Sequence, residues 1–512
     1  MGSDLDLLLI NPNGQDRIYA ELGHELTAVE PPLWCRLIAG YARDRGRAVA
    51  IIDAEAENLR PETVAARAVA SRPRLIGMIA FGHQPSASTQ QMTAASPTCQ
   101  AIKARNPDQP IIIVGGHVAA LPERTLREEA VDFVCNSEGP ITVHELLDVL
   151  RDGAPCDFSQ VRGLVWRDGG AIRSNSPPPL IKDLDNDLNG NVWDLLPMAK
   201  YRAHNWQCFG DLAARKPYAS IYTSLGCPYR CTFCCINAPF GSNRYRMRSP
   251  QAVGAEIDLL HDAYGVTTYK IVDEMFVLNE RHVDAVCDEL IARDYRLNIW
   301  AYARVDTVRP NMLDKLRRAG VRWLALGIES GSAHVRDGAQ KSFERAEIVD
   351  VVRQIRNSGI NVIGNFIFGL PDDDLSSMQQ TLELATELNC EFANFYSAMA
   401  YPGAPLHRIA VANGWALPDS WSGFSQYSYD CLPLPTEKVS AAEVLKFRDE
   451  AFQRYFAGKR YLDLVTEKFG WETRRHVEQM TRHKLRRKIV EDMAVSGSAR
   501  SDSPMPDAQP AV

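Results

Sequence analysis

The chain has 512 residues, more than one hydrophobic core accommodates, so two or three domains are expected. Its 45% hydrophobic and 24% charged residues are typical of a globular protein, and its net charge of −7 argues against nucleic acid as a partner. No apolar stretch reaches the roughly 18 residues of a membrane-spanning helix, and the first residues lack the cationic start of a secretory signal, so the cytoplasm is the expected compartment.

The first segment of the chain predicts a doubly wound parallel sheet. Five short apolar runs alternate with helical stretches, at residues 7–10, 49–52, 75–80, 111–114 and 133–135. Strands that alternate with helices in this way form α/β domains, which bind ligands beyond the carboxyl ends of their strands. We therefore predict a Rossmann-like domain over residues 1–153.

Residues 154–214 are rich in Pro, Gly, Asp and Asn and predict a connector, with one small hairpin around residues 163–172. The strand–helix alternation then resumes. Six further strands are predicted at residues 220–225, 269–273, 298–305, 323–329, 361–368 and 392–399. Six βα units in a row predict a partial parallel barrel over residues 215–435, with its active site at the carboxyl ends of the strands.

The remaining residues predict a helical region over 436–490 and a disordered Pro/Ser/Ala-rich tail over 491–512. Several aromatic side chains precede this region, namely Trp415, Trp421, Phe424, Tyr427 and Tyr429. They fit two interpretations equally, a wall of a substrate cavity or the core of a C-terminal helical cap.

A cysteine cluster stands out from the scattered cysteines of the chain. Cys227, Cys231 and Cys234 have the spacing C-x3-C-x2-C and follow the first predicted barrel strand, where a catalytic loop belongs. Three thiolates on one loop hold three irons of a cubane and leave the fourth iron open to a small molecule. The alternative is a zinc site, which wants a fourth ligand. Only Cys235 is near, and it is adjacent to Cys234 and poorly placed to share a tetrahedral site.

This loop, placed after the first strand of a six-unit barrel, resembles that of the radical S-adenosylmethionine (SAM) enzymes. Four later motifs agree in order, each at a predicted strand end. They are Asp273-Glu274, the Arg304-Val305-Asp306 element, the Gly327–Ser332 segment (sequence GIESGS), and the segment from Gly364 to Pro371. Tyr401-Pro402-Gly403 resembles the motif that closes such barrels. The resemblance covers roughly residues 215–435.

The resemblance implies the roles of these residues. The three cysteines would hold a 4Fe–4S cluster, and Phe233 would pack on the adenine of SAM. The acidic pair Asp273 and Glu274 would contact the methionine amino group. Glu329 and Ser330 would lie near the methionine and ribose, with Arg304 beside them, and Gly364 would lie along the adenine.

The N-terminal domain resembles a cobalamin-binding domain. Gly115 and Gly116 after the fourth strand match its paired glycines, and Glu138 lies in the turn after the fifth strand. The chain departs from the pattern after the first strand, where the sequence NPNGQD has no histidine to coordinate cobalt. A base-off or weakly coordinated cobalt is therefore expected, and His83 and His117 are the alternative axial ligands. The other interpretation is a flavodoxin-like domain that has lost its cofactor or binds another nucleotide.

The resemblance implies an enzyme that uses a 4Fe–4S cluster, SAM and cobalamin to methylate an unactivated carbon of a small molecule. A deoxyadenosyl radical would abstract hydrogen and methylcobalamin would supply the methyl group. Flavodoxin or ferredoxin is the expected electron donor. The alternatives are a cyclase or rearrangement enzyme of the same architecture, a methylthiotransferase, and a non-catalytic cobalamin or redox sensor.

Overall fold

The computed structural model describes residues 5–19, 26–82, 88–150 and 156–493 of the chain. Within these ranges two sheets follow one another along the sequence, and a helical region covers one edge of the second. None of the helices in these ranges has both the length and the apolar composition that crossing a bilayer requires. Of the predicted tail over residues 491–512, only residues 491–493 belong to the described part of the chain.

The N-terminal sheet is doubly wound, as predicted. Its strands are β1 (Leu5–Asn11), β2 (Val49–Asp53), β3 (Pro73–Ile79), β4 (Ile111–Val114), β5 (Phe133–Cys135), β6 (Leu164–Asp168) and β7 (Ala171–Ser174). The accompanying helices are α1 (Gln15–Tyr19), α2 (Leu33–Arg43), α3 (Pro61–Ala70), α4 (Ser88–Arg105), α5 (Gly116–Ala120), α6 (Pro122–Glu128) and α7 (Pro140–Val149). The strand order is β2-β1-β3-β4-β5-β6-β7, and β1 to β5 are parallel. Helices cover both faces, which is why the strands are continuously apolar.

The predicted hairpin belongs to this sheet and not to a separate connector. Strand β6 pairs antiparallel with β5, with Phe133 opposite Trp166, and β7 pairs with β6. The sheet therefore runs to Ser174, past the boundary predicted at residue 153. Sequence composition does not reveal this, because the partner of a short antiparallel strand is set by its buried side chains, here Leu164 and Val165.

The second sheet is a partial barrel of six parallel strands. Helix α8 (Leu184–Asp187) precedes the strands β8 (Tyr218–Ile221), β9 (Ser224–Leu225), β10 (Arg246–Met247), β11 (Thr268–Ile271), β12 (Asn298–Arg304), β13 (Val321–Glu329), β14 (Asn361–Phe368) and β15 (Phe392–Ser397). The order is β15-β14-β13-β12-β11-β8, while β9 and β10 form a separate antiparallel pair. The described residues contain no pairing between β8 and β15, so the barrel is open there. The predicted fold class is confirmed.

Helices surround the barrel and cover its open edge. They are α9 (Pro250–Tyr264), α10 (Glu280–Ala292), α11 (Pro310–Arg318), α12 (Ala333–Gly338), α13 (Arg345–Asn357), α14 (Leu375–Leu388), α15 (Pro405–Ala412), α16 (Ala441–Phe456) and α17 (Lys459–Met480). Local sequence sets their ends. Ser249 caps α9 by accepting from the Ala252 amide, and Gly265 ends it with a φ of 65°.

Buried ion pairs join the two domains. Arg36 of α2 is fully buried, donates to Glu256 of α9 at 2.9 Å, and stacks 3.6 Å from the Trp193 ring centroid. Arg248 also pairs with Glu256. Burial raises the pKa of Glu256, but the two guanidiniums outweigh burial and hold that pKa below its ordinary value. Lys270 of β11 pairs with Glu30 of the first domain at 2.9 Å.

Replacing Glu256 with Gln is expected to destabilise the protein by about 3–5 kcal/mol, because two buried guanidiniums would then face a neutral amide. Urea unfolding followed by circular dichroism measures the change. Glu123→Gln, which breaks an exposed pair with Arg127, is the control and should change stability by less than about 1 kcal/mol. Equal effects of the two substitutions would contradict the structural role of Glu256.

Candidate active site

The cysteine loop begins directly after β9. Gly226 has a φ of 86°, and a Cβ there would lie 2.1 Å from the carbonyl oxygen of Arg244, so only glycine fits. Cys227 and Cys231 are buried, and Cys234 is half-buried. Asn237 holds the loop by donating to the carbonyl of Cys227 at 3.0 Å.

The three thiols fit an iron–sulfur cluster. Burial raises the pKa of Cys227 to about 11, so cluster binding, which needs thiolates, releases protons. Nη1 of Arg304 donates to Sγ of Cys231 at 3.5 Å and supplies a positive charge beside it. In the described ranges no three His, Cys, Asp or Glu side chains converge as ligands of one metal ion do. A cubane binds each cysteine at a different iron and requires no such convergence.

The acidic pair divides into two roles. The Asp273 carboxylate accepts from the Thr223 amide at 2.6 Å and from the Thr223 and Ser224 hydroxyls at 2.5 and 2.6 Å. It is 1% exposed and holds the turn between β8 and β9, so its contact with SAM stays a prediction. Glu274 does line the cavity, and its Oε2 accepts from the Gly226 amide at 3.0 Å. Burial raises the pKa of Glu274 to about 7.

A central cavity of about 400 Å³ lies between the two domains. It brings together five of the predicted site residues, Phe233, Cys234, Glu274, Arg304 and Glu329. The N-terminal domain contributes Ala28, Glu30, Glu55 and Gln90 to the same wall. The carboxyl ends of the barrel strands and residues of the first domain therefore face one enclosed space.

Lys341 is a cavity residue that the sequence analysis missed. Its Nζ pairs with the Glu329 carboxylate, donates to the Gly327 carbonyl at 3.2 Å, and lies 5.9 Å from the Phe233 ring centroid. Glu329 has a φ of 64°, which turns the chain at the strand end. Lys341 follows α12 and not a strand, so no strand-end signal marks it. The only clue is its position after the short helix that follows the GIESGS segment.

Ser330 and Gly364 do not line the central cavity, and their contacts with SAM stay a prediction. The Ser330 hydroxyl is fully buried, lies 3.1 Å from that of Thr381, and accepts from the Ser332 amide. A Cβ on Gly364 would point at the Phe366 ring, 2.7 Å away. Successive residues of a strand point to opposite faces, so the cavity side of β14 is formed by Ile363, Asn365 and Ile367.

A smaller cavity of about 70 Å³ lies at the carboxyl ends of β1, β3 and β4. Gly116 lines it together with Trp34 and Phe81, whose rings stack 4.5 Å apart. Gly115 allows a close approach, since a Cβ there would lie 2.3 Å from the Ala80 carbonyl oxygen. This is where the strand order reverses, the usual ligand crevice of a doubly wound sheet, and the cofactor contacts of the two glycines stay a prediction.

Glu138 forms an interdomain contact, and its cofactor role stays a prediction. Its carboxylate pairs with Arg246 of β10 at 2.7 Å and accepts from the Ile181 amide at 2.9 Å. His117 is also placed elsewhere, since its Nδ1 lies 3.2 Å from the Thr89 hydroxyl and its ring packs edge-on against Trp421. It lines neither cavity, and its alternative role as an axial ligand stays a prediction. His83, the other candidate, lies outside the described residues.

The aromatic residues after the barrel divide between the two interpretations. Tyr427 lines the central cavity. Trp415, Trp421 and Phe424 pack within small apolar clusters of the cap, and Tyr429 is exposed.

Two family models match the chain in the order that the fold shows. The B12 binding domain matches residues 22–147, and the Radical SAM superfamily matches residues 221–385. The chain is therefore a radical SAM enzyme with an N-terminal B12-binding domain. The predicted family and its cofactor set are confirmed, with cobalamin for the first domain and a 4Fe–4S cluster with SAM for the second.

Individual relatives agree with this class. An uncharacterized methyltransferase, PH0819, of Pyrococcus horikoshii is 28% identical over 82% of the chain and 86% of its own length. The anaerobic magnesium-protoporphyrin IX monomethyl ester cyclase of Rubrivivax gelatinosus is 25% identical over 89% of the chain and 78% of its own length. The fold is similar to that of TsrM, a radical SAM methyltransferase from Kitasatospora setae, with a TM-score of 0.67 and 17% sequence identity. The match covers 94% of this chain and 100% of the TsrM chain. The chain belongs to the cobalamin-dependent radical SAM enzymes.

Cys231→Ala is expected to abolish the cluster, because one of three irons would lose its only protein ligand. Iron and sulfide content and visible absorption after anaerobic reconstitution measure the loss. Cys235→Ala is the matched control, since Cys235 is equally buried but outside the C-x3-C-x2-C spacing, and it should retain the cluster. A cluster that survives Cys231→Ala would refute the assignment.

Proposed function

We propose that this enzyme transfers a methyl group to an unactivated carbon of a small molecule. The observation that carries the proposal is the shared central cavity. Phe233 and Cys234 of the cysteine loop line the same space as Gln90 and Glu30 of the B12-binding domain. Methyl transfer between two cofactors and a substrate requires all three to meet, and this cavity borders both domains and the cysteine loop.

The charges in the cavity match the amino-acid part of SAM. Glu274 and Glu329 offer carboxylates to an ammonium group, and Lys341 and Arg304 offer cations to a carboxylate. Phe233 presents an aromatic ring on which an adenine can stack. Each charge is already held by a neighbouring group, such as Arg304 by Asp306 at 2.9 Å, so the site is ordered before a ligand binds.

When bound, the cluster would supply the electron that cleaves SAM, and cobalamin would supply the methyl group. The residues of the chain position the reactants and exclude water. Buried apolar side chains surround the cysteine loop, among them Ile236 and Met275, which pack against Cys227. A dry pocket protects a carbon radical from side reactions.

A radical cyclase or rearrangement enzyme remains the second candidate, because relatives named as anaerobic cyclases match most of the chain. The methylthiotransferase alternative is less well supported, because its C-terminal barrel has no counterpart in the helical α16 and α17. A non-catalytic sensor does not fit a chain assigned to an enzyme family.

The proposal includes a flavodoxin or ferredoxin as reductant and the cytoplasm as compartment. The support for a reducing compartment is the state of the cysteines. All twelve cysteines are free thiols in the structure, as expected for a protein in a reducing environment.

The methyltransferase proposal predicts two products from one reaction mixture. Reconstituted enzyme with SAM, cobalamin and a reductant should release deoxyadenosine, and with its substrate it should also form S-adenosylhomocysteine. Mass analysis of metabolites from a strain lacking the gene should identify a substrate that differs from the product by one methyl group. A product that differs only by loss of hydrogen, without S-adenosylhomocysteine, would favour the cyclase.

Lys341→Met is expected to weaken SAM binding by ten- to a hundredfold, because a hydrogen bond to a charged group contributes about 1.5–3 kcal/mol. Equilibrium dialysis with the reconstituted enzyme measures this, and iron content should stay unchanged. Lys459→Met, at a position 89% exposed, is the control and should bind SAM as the parent enzyme does. Unchanged affinity in Lys341→Met would remove Lys341 from the proposed SAM site.

A further inference from the structure

A second, larger cleft of about 820 Å³ lies at the open edge of the barrel. Its lining comes from β15, from α16, and from the segment after α17. We call it the edge cleft. Its floor is aromatic, with Trp206, Phe392 and Phe395 all buried and Phe452 half-buried. A cleft of this size holds one drug-sized molecule.

The edge cleft adjoins the central cavity. His204, Trp206, Asn394 and Tyr427 line both spaces. The central cavity alone, at about 400 Å³, is at the small end of the range for one ligand, and SAM would occupy its charged end. A substrate that must meet the same site therefore needs further room, and the edge cleft adjoins the site.

Positive charge collects at the solvent side of the edge cleft. Its three carboxylates are engaged, since Asp449 binds Arg448 and Arg487, Glu491 binds Arg486, and Glu450 lies 3.9 Å from Lys446. Arg454 and Lys484 are exposed and line the cleft. Among the described residues neither of them has a carboxylate oxygen within 4.0 Å, and Arg454 donates to the neutral Gln379 side-chain oxygen at 3.2 Å. An apolar floor with unmatched cations at its mouth is complementary to a molecule with an apolar body and an anionic group.

We propose that the edge cleft is the substrate site and takes an anionic amphiphile. Its apolar body lies on Phe392, Phe395 and Phe452, and its carboxylate or phosphate group lies between Arg454 and Lys484. The opposite end points past Asn394, which lines both spaces, towards the cysteine loop. This inference rests on the proposed function, because it assigns a substrate class to that same site.

The test measures binding to the anaerobically reconstituted holoenzyme by isothermal titration calorimetry. The probes are octyl phosphate and octanoate, which distinguish the two anionic groups, with octanol, octyltrimethylammonium and inorganic phosphate as comparators. At least one octyl anion should bind more tightly than every comparator, and its affinity should fall with added salt.

Charge-reversal variants locate the anion. Lys484→Glu should weaken binding of the octyl anion about tenfold, because it removes an attraction and adds a repulsion. Arg482→Glu is the matched control, since Arg482 is exposed on the same segment but does not line the cleft, and it should have little effect. Phe452→Gln should weaken binding of the octyl anion and leave inorganic phosphate unaffected.

The proposal is overturned if octanol or octyltrimethylammonium binds as tightly as the octyl anions, or if Lys484→Glu and Arg482→Glu weaken binding equally. Deoxyadenosine release is measured on every variant to separate this failure from that of the proposed function. Release without binding of octyl anions would refute the edge cleft and leave the radical chemistry intact. Selective binding without release would refute the proposed function alone.

Discussion

The contact between the two domains rests on a buried carboxylate that binds two arginines. Glu256 holds Arg36 of the first domain and Arg248 of the second, with all three side chains excluded from solvent. Removing ions from water costs nearly as much as their attraction returns, so such a group adds little net stability. Its geometry is strict, however, because any other docking would leave a charge unpaired. The group therefore fixes the orientation in which the strand ends of both domains face the central cavity.

Much of the fold follows from the sequence, since alternating apolar runs marked the five parallel strands of the first sheet and all six of the barrel. Strand β14 was predicted with its observed ends, residues 361–368. The hairpin β6–β7 was predicted as an element, but its place in the first sheet depends on which side chains it buries against β5. Distant pairing of this kind has no local signal.

The sequence predicted which motifs meet at the site, but not which side chains of each motif face the cavity. Neighbours in a motif point in opposite directions at a strand end, so Glu274 faces the cavity while Asp273 holds the backbone. The same alternation places Asn365 in the cavity and Gly364 outside it. The sequence did not indicate the ion pairs of Glu138 and Lys341, because their partners come from separate elements. Spacing indicates which segments meet, and only the three-dimensional structure shows which atoms do.

The open edge of the barrel separates two kinds of residue. The cysteine loop and the charged groups of the central cavity lie on or beside β8 to β13. The edge strand β15 is instead covered by the cap. Arg448 donates to the Phe395 carbonyl at 2.7 Å, and the Gln426 side chain forms hydrogen bonds with both the amide and the carbonyl of Ser397. Changes in α16 and the following segment can thus reshape what enters without moving the atoms that generate the radical. An architecture divided in this way lets selection exchange one substrate for another while the costly, oxygen-sensitive chemistry is inherited unchanged.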